Sequence, residues 1–233
     1  PGAQGAASLL PWAEEVLIWR SLGQDMGQLP FEPAREFGLI QTLQALRFDA
    51  AIIFTSFSQT PHVAAYACYL AGIRLRLGEP KDFGGAVLSD TPLTPSPFEA
   101  HQVERNLRLI ESVGIQVRDR SLGVQIPAAA FDGAARLLAG QGLPRGVPYL
   151  LLCPWTSCQA RTYGRFGAVG HQLQRTLGLP IVVTGTERDQ SRVAALLAEL
   201  GPGAVDLVGK TPVAELAALV AGACLVLTNN TAT

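Results

Sequence analysis

The stretch FDAAIIFTS (48–56) decides the fold. It is short and nearly all apolar, the pattern of a parallel strand covered on both faces. Working outward, PAREFGLIQTLQALR (33–47) reads as a helix before it, and TPHVAAYACYLAG (60–72) as a helix after it that a glycine ends. AEEVLIW (13–19) and IRLRLG (73–78) read as flanking strands. In SPFEAHQVERNLRLIESVG (96–114), Val103, Leu107, Ile110 and Gly114 fall on one helical stripe with charges elsewhere.

The alternation starts again further on. AAAFDGAARLLAGQGL (128–143) is helical, PYLLLCP (148–154) a strand, GRFGAVGHQLQRTLG (164–178) a helix and PIVVTG (180–185) a strand. ERDQSRVAALLAEL (187–200) and PVAELAALVAGA (212–223) read as helices, AVDLVG (204–209) and CLVLTNN (224–230) as strands. Strand–helix alternation implies α/β architecture with doubly wound parallel sheets. The composition shifts near Pro127, so two Rossmann-like domains are expected, 1–126 and 127–233, with the boundary between about residues 125 and 147.

Apolar residues make up 48% and charged residues 16%, enough for buried cores and against global disorder. Residues 1–126 carry 10 basic and 13 acidic side chains, and residues 127–233 carry 8 and 6. A nucleic-acid partner is therefore not expected, since it would require a concentrated basic footprint. Cys68, Cys153, Cys158 and Cys224 form no Cys-x-x-Cys pair and have no histidine at ligand spacing, so neither a zinc site nor a disulfide framework is expected. The apolar run Leu216–Leu227 is too short to cross a bilayer.

Two familiar phosphate motifs fail. VGKTP (208–212) has Ala204 where a phosphate loop needs its first glycine, and Pro212 follows directly. The Gly-x-Gly-x-x-Gly dinucleotide fingerprint is absent. His62, His101 and His171 each stand alone on a predicted helix, where a capping or solvated role is the ordinary one.

Three strand ends are more informative. In CPWTSCQARTY (153–163), hydroxyls on Thr156 and Ser157 and the guanidinium of Arg161 precede a helix, a set suited to phosphate; a plain polar loop is the alternative. In VVTGTERD (182–189), Gly185 gives backbone room and Glu187 is placed to accept from ribose hydroxyls, or merely to favour the helix dipole. LTNNTAT (227–233) is a third polar strand end. Ligands of open α/β sheets bind at such ends, so the three count for more together than apart.

In this order and spacing the segments resemble the glycosyltransferase family that includes the bacterial lipopolysaccharide heptosyltransferases. Its PGAS…K.W, TG..E and (S/T)NDTGPMH motifs read here as PWTSCQARTY, TGTERD and TNNTAT. In the first half, the strand–helix–AGI.RRVG pattern reads as FDAAIIFTSFSQTPHVAAYACYLAGIRLRLG, and H.VDRYL.LL..LGI as HQVERNLRLIESVGI. The resemblance implies a GT-B fold, two Rossmann-like domains facing a cleft. It implies inverting, metal-independent transfer of a heptose-like sugar from a nucleotide-diphosphate donor such as ADP-heptose to a lipid-linked saccharide. The setting implied is the cytoplasm, with peripheral association at the inner membrane face.

Carried over by position, Thr156, Ser157 and Arg161 hold the diphosphate, Gly185 and Glu187 the ribose side, and Thr211 lies by the base. Asn230, Thr231 and Ala232 meet the sugar and diphosphate. Trp155 replaces a glycine of the family pattern, Arg161 a lysine, Asn230 an aspartate and Ala232 a glycine. A non-catalytic nucleotide-sugar-binding module and a related epimerase are the alternatives. The family's first strand and catalytic base fall before residue 1 and its Pro-Met-His helix after Thr233, so the general base is unassigned. The chain is accordingly expected to be a fragment lacking both termini, poorly soluble and inactive by itself.

Overall fold

Strands and helices alternate in a computed structural model that describes residues 5–25, 27–56, 59–156 and 159–229. The chain divides into two units, one of Trp19–Leu122 and one that runs from Gly123 onward and includes the segment up to Ile18.

In the smaller unit, β1 (Ala50–Ile53) and β2 (Leu75–Gly78) pair in parallel with Ala50 opposite Leu75. Helix α1 (Pro33–Leu46) begins with proline in its first turn, where a missing N–H costs nothing. Helix α2 (His62–Leu70) connects β1 to β2, and α3 (Gln102–Glu111) follows. The covering expected for FDAAIIFTS is incomplete: Ile53 is buried but Ile52 is 41% exposed, because among the described residues β1 has only β2 beside it.

Two further expectations are corrected in this half. Residues 13–19 form no strand, and Val16, Leu17 and Ile18 are exposed. Among the described residues no strand lies against them to take up a ladder, and an apolar run alone does not make one. Helix α3 starts at Gln102 rather than at Ser96. The buried Arg105 guanidinium takes the carbonyls of Pro97, Phe98 and Ala100, which a helix would have used for its own ladder. His101 then caps the helix, its Nδ1 accepting from the Val103 amide at 3.3 Å.

Among the described residues, the larger unit holds four parallel strands: β3 (Leu150–Cys153), β4 (Ile181–Gly185), β5 (Ala204–Val208) and β6 (Leu225–Thr228). Their order across the sheet is β5-β4-β3-β6. Helices α4 (Ala128–Gly140) and α7 (Val213–Gly222) cover one face, where Leu151, Cys153 and Val182 point. Helices α5 (Phe166–Leu177) and α6 (Gln190–Leu200) cover the other, over Leu150, Leu152, Ile181 and Val183. This two-sided cover explains why all four residues of β3 are buried and why its sequence is an unbroken apolar run. Tyr149 fastens the start of β3 to α7, its hydroxyl donating to the Leu219 carbonyl at 2.7 Å; burial pushes its pKa up to about 12.

Leu151 has no exposed surface and sits between α4 and α7. Leu151→Ala is expected to cost about 2–5 kcal/mol of stability, the range for a buried leucine that leaves a cavity. Urea denaturation followed by circular dichroism measures it, and a loss below about 1 kcal/mol would show that the sheet is not covered on this side.

Candidate functional site

From β3 the chain moves outward to β4 and β5, then returns to place β6 on the opposite side of β3. The order of strands therefore reverses between β3 and β6. Loops leaving neighbouring carboxyl ends diverge at such a point, and the crevice between them is where open α/β sheets bind ligands.

Thr156 lies in the loop leaving β3 and Arg161 ends a one-turn helix, Gln159–Arg161, in the same loop. Among the described residues no carboxylate or carbonyl takes the exposed Arg161 guanidinium. Gly185 ends β4, and Glu187 opens the next turn, Glu187–Asp189, with its carboxylate exposed. Thr211 is half-buried after β5 and already committed, its hydroxyl donating to the Leu207 carbonyl at 3.1 Å. Ser157, Asn230, Thr231 and Ala232 lie outside the described residues. The other expected site residues thus share one edge of the sheet, the carboxyl ends of β3, β4 and β5.

Contacts across that edge join the loops in pairs. Gly209, at φ 73°, donates its amide to the Gly185 carbonyl at 2.9 Å, tying the end of β5 to the end of β4. A Cβ on Gly209 would stand 3.2 Å from the Glu187 Cα, so the two turns are immediate neighbours. The indole of Trp155 spans from the β3 loop to Gly185, where a Cβ would come within 2.3 Å of its Nε1. The room at Gly185 is therefore filled by protein. Arg192 covers the indole, its guanidinium carbon 4.8 Å from the ring centroid.

Residues that the sequence reading missed do the holding. Asp189 is buried; its Oδ2 accepts from the Thr186 amide at 2.9 Å and hydroxyl at 2.7 Å, and its Oδ1 pairs with Arg192. The Thr-x-x-Asp spacing of 186–189 is the readable signal, a capping box with aspartate in the glutamate position. Asn229 is buried at the end of β6, its carboxamide bonded to Pro154 and Tyr163 of the β3 loop. Beneath them Cys153 meets the Thr184 hydroxyl at 2.8 Å, and burial pushes the thiol's pKa up despite that bond. A thiol so placed is a packing group rather than a nucleophile.

The histidines have the ordinary roles. His171 Nδ1 lies 3.0 Å from the Leu200 carbonyl at the end of α6, and His62 Nδ1 lies 2.8 Å from the Thr60 hydroxyl. Among the described residues no three His, Cys, Asp or Glu side chains group as a metal site, and no helix is long and apolar enough to cross a membrane.

Among the described residues, an exposed cation and an exposed carboxylate without protein partners thus stand at the carboxyl edge of an open parallel α/β sheet, the edge at which such sheets bind ligands. The chain belongs to glycosyltransferase family 9 (heptosyltransferase), whose family model matches residues 37–233. No curated protein matches it. Among solved structures it is similar to the family 9 glycosyl transferase of Veillonella parvula (16% identity, TM-score 0.71, covering 85% of this chain and 57% of that one). It is also similar to the E. coli ADP-heptose LPS heptosyltransferase II (20%, 0.67, 87% and 63%). A third likeness is to the E. coli heptosyltransferase WaaC with ADP-2-deoxy-2-fluoro heptose (18%, 0.56, 85% and 61%). At these identities the likeness shows the fold, and the chain spans 57%, 63% and 61% of the respective structures' lengths.

Because the Trp155 indole sits against Gly185, Gly185→Ala is expected to destabilise by about 1–3 kcal/mol, the cost of overpacking. Trp155→Leu should recover most of that loss in the double variant, as contacting residues couple. Thermal unfolding of the four proteins checks it; strict additivity would separate the two residues.

Proposed function

We propose that the whole protein transfers a heptose-like sugar from a nucleotide-diphosphate donor to a lipid-linked saccharide acceptor, and that the edge formed by β3, β4 and β5 binds the donor. The observation that carries this is the uncommitted Arg161 guanidinium in the loop of a switch-point strand, in a chain of this family. A solved relative is described with ADP-2-deoxy-2-fluoro heptose, which makes ADP-heptose the first donor to try.

The chemistry follows from where charge develops. As the bond between the sugar's anomeric carbon and the diphosphate oxygen breaks, negative charge gathers on the leaving diphosphate. Arg161 meets it with a planar pair of N–H donors, which gives the loop both charge and orientation without a metal. Glu187 accepts from the ribose hydroxyls, while the adjacent Gly209–Thr211 turn lies toward the base. Attack of the acceptor hydroxyl from the opposite side of the anomeric carbon inverts its configuration, and that hydroxyl gives its proton to a general base. The acceptor's lipid places the reaction at the inner membrane face.

Arg161→Ala is expected to weaken ADP binding by about 1.5–3 kcal/mol, the scale of a charge-assisted hydrogen bond, with a much smaller loss for adenosine. Equal losses for both ligands in titration calorimetry would remove Arg161 from the diphosphate. Glu187→Gln should weaken ADP more than 2′-deoxy-ADP, and identical losses would return Glu187 to a helix-dipole role. A donor screen of the whole protein completes the test: ADP binding without transfer of any sugar would make it a binding module.

A further inference from the structure

We propose that Asn229 is a positioning residue of the donor site, holding the Arg161 loop by both of its ends. The ladder between β3 and β6 stops at Cys153 and Thr228. The next residue of β3's chain is Pro154, which has no N–H to continue it. The Asn229 side chain takes over there. Its Nδ2 donates to the Pro154 carbonyl where the loop leaves the sheet, and its Oδ1 accepts from the Tyr163 amide at 2.9 Å where the loop returns toward α5.

The carboxamide suits this task. It offers a donor and an acceptor on one rigid plane, and both partners are backbone groups, so the bonds fix chain position rather than a mobile side chain. Asn229 is only 5% exposed, which removes water as a substitute partner. Tyr163 is braced in turn by an edge-on contact with Phe166 at the start of α5, 5.2 Å between ring centroids. Arg161 stands two residues before the fastened amide, so its backbone is located by that bond relative to β6. An aspartate at 229 would keep the shape and the Tyr163 bond but turn an acceptor toward the Pro154 carbonyl, releasing that end.

The inference rests on the reading of Arg161 as the diphosphate group, and a double-variant cycle separates the two. In the whole protein, Asn229→Asp should weaken ADP binding by about tenfold, the scale of one lost hydrogen bond, and adenosine binding by less than about twofold. In an Arg161→Ala background the same change should cost less than about twofold, because the group being positioned is gone. Should Asn229→Asp fail to unfold cooperatively, Tyr163→Pro measured against Tyr163→Ala carries the test, since both remove the ring that meets Phe166 and only the proline also removes the amide that Asn229 accepts from. Non-additive losses confined to ADP support the positioning role. Additive losses, or equal losses for ADP and adenosine, overturn it. If Arg161→Ala alone leaves ADP binding unchanged, it is the diphosphate reading that falls.

Discussion

Strand β3 is the constraint on which the larger unit depends. It has a parallel neighbour on each side and helices on both faces, so its four residues satisfy their backbone only in the ladder and their side chains only in the two cores. A strand so enclosed leaves its loop one exit, at the carboxyl end. The reversal of strand order beside it puts that exit at the switch point of the sheet. The position of Arg161, the residue that carries the proposed donor site, is a consequence of that exit.

Burial and charge divide the work at this edge. Among the described residues of the unit, Thr184, Asp189 and Asn229 are buried polar side chains that stand at or just beyond the carboxyl ends of strands. Each is bonded to protein partners. Arg161 and Glu187 are the reverse, exposed and uncommitted among the described residues. Burying a polar group is tolerable only when its bonds are met, so the edge can hold fixed loops beneath and keep charges free above.

The same division explains what the sequence disclosed. β3 to β6 were readable to within two residues because a short apolar run, bounded by proline or glycine in β3, β4 and β5 and by asparagine after β6, means the same thing locally and in the folded unit. AEEVLIW contains the apolar run VLIW, but a strand exists only with a partner, which a single segment cannot announce. The start of α3 was hidden for a similar reason, since three carbonyls go to Arg105 from a turn away. Arg161 and Glu187 were legible as charges at strand ends. Asn229 was not, because nothing local in LTNNTAT shows that its side chain turns back to the backbone of Pro154 and Tyr163.

Trp155 gives the edge its remaining rigidity. A glycine in its place would leave the β3 and β4 loops without a side-chain contact at this point; the indole instead bears on Gly185 and is covered by Arg192. Arg192 is ion-paired to Asp189, and Asp189 holds Thr186, the residue before Glu187. A continuous path of contacts therefore runs from the loop that bears Arg161 to the turn that bears Glu187. With Asn229 fastening the same loop to β6, the backbone beside each charge is held by buried partners. Groups proposed to meet a diphosphate and its ribose gain from a fixed backbone spacing, because binding energy spent on ordering them is lost to affinity. Preorganisation of this kind is obtained here from one oversized side chain and the glycine that makes room for it.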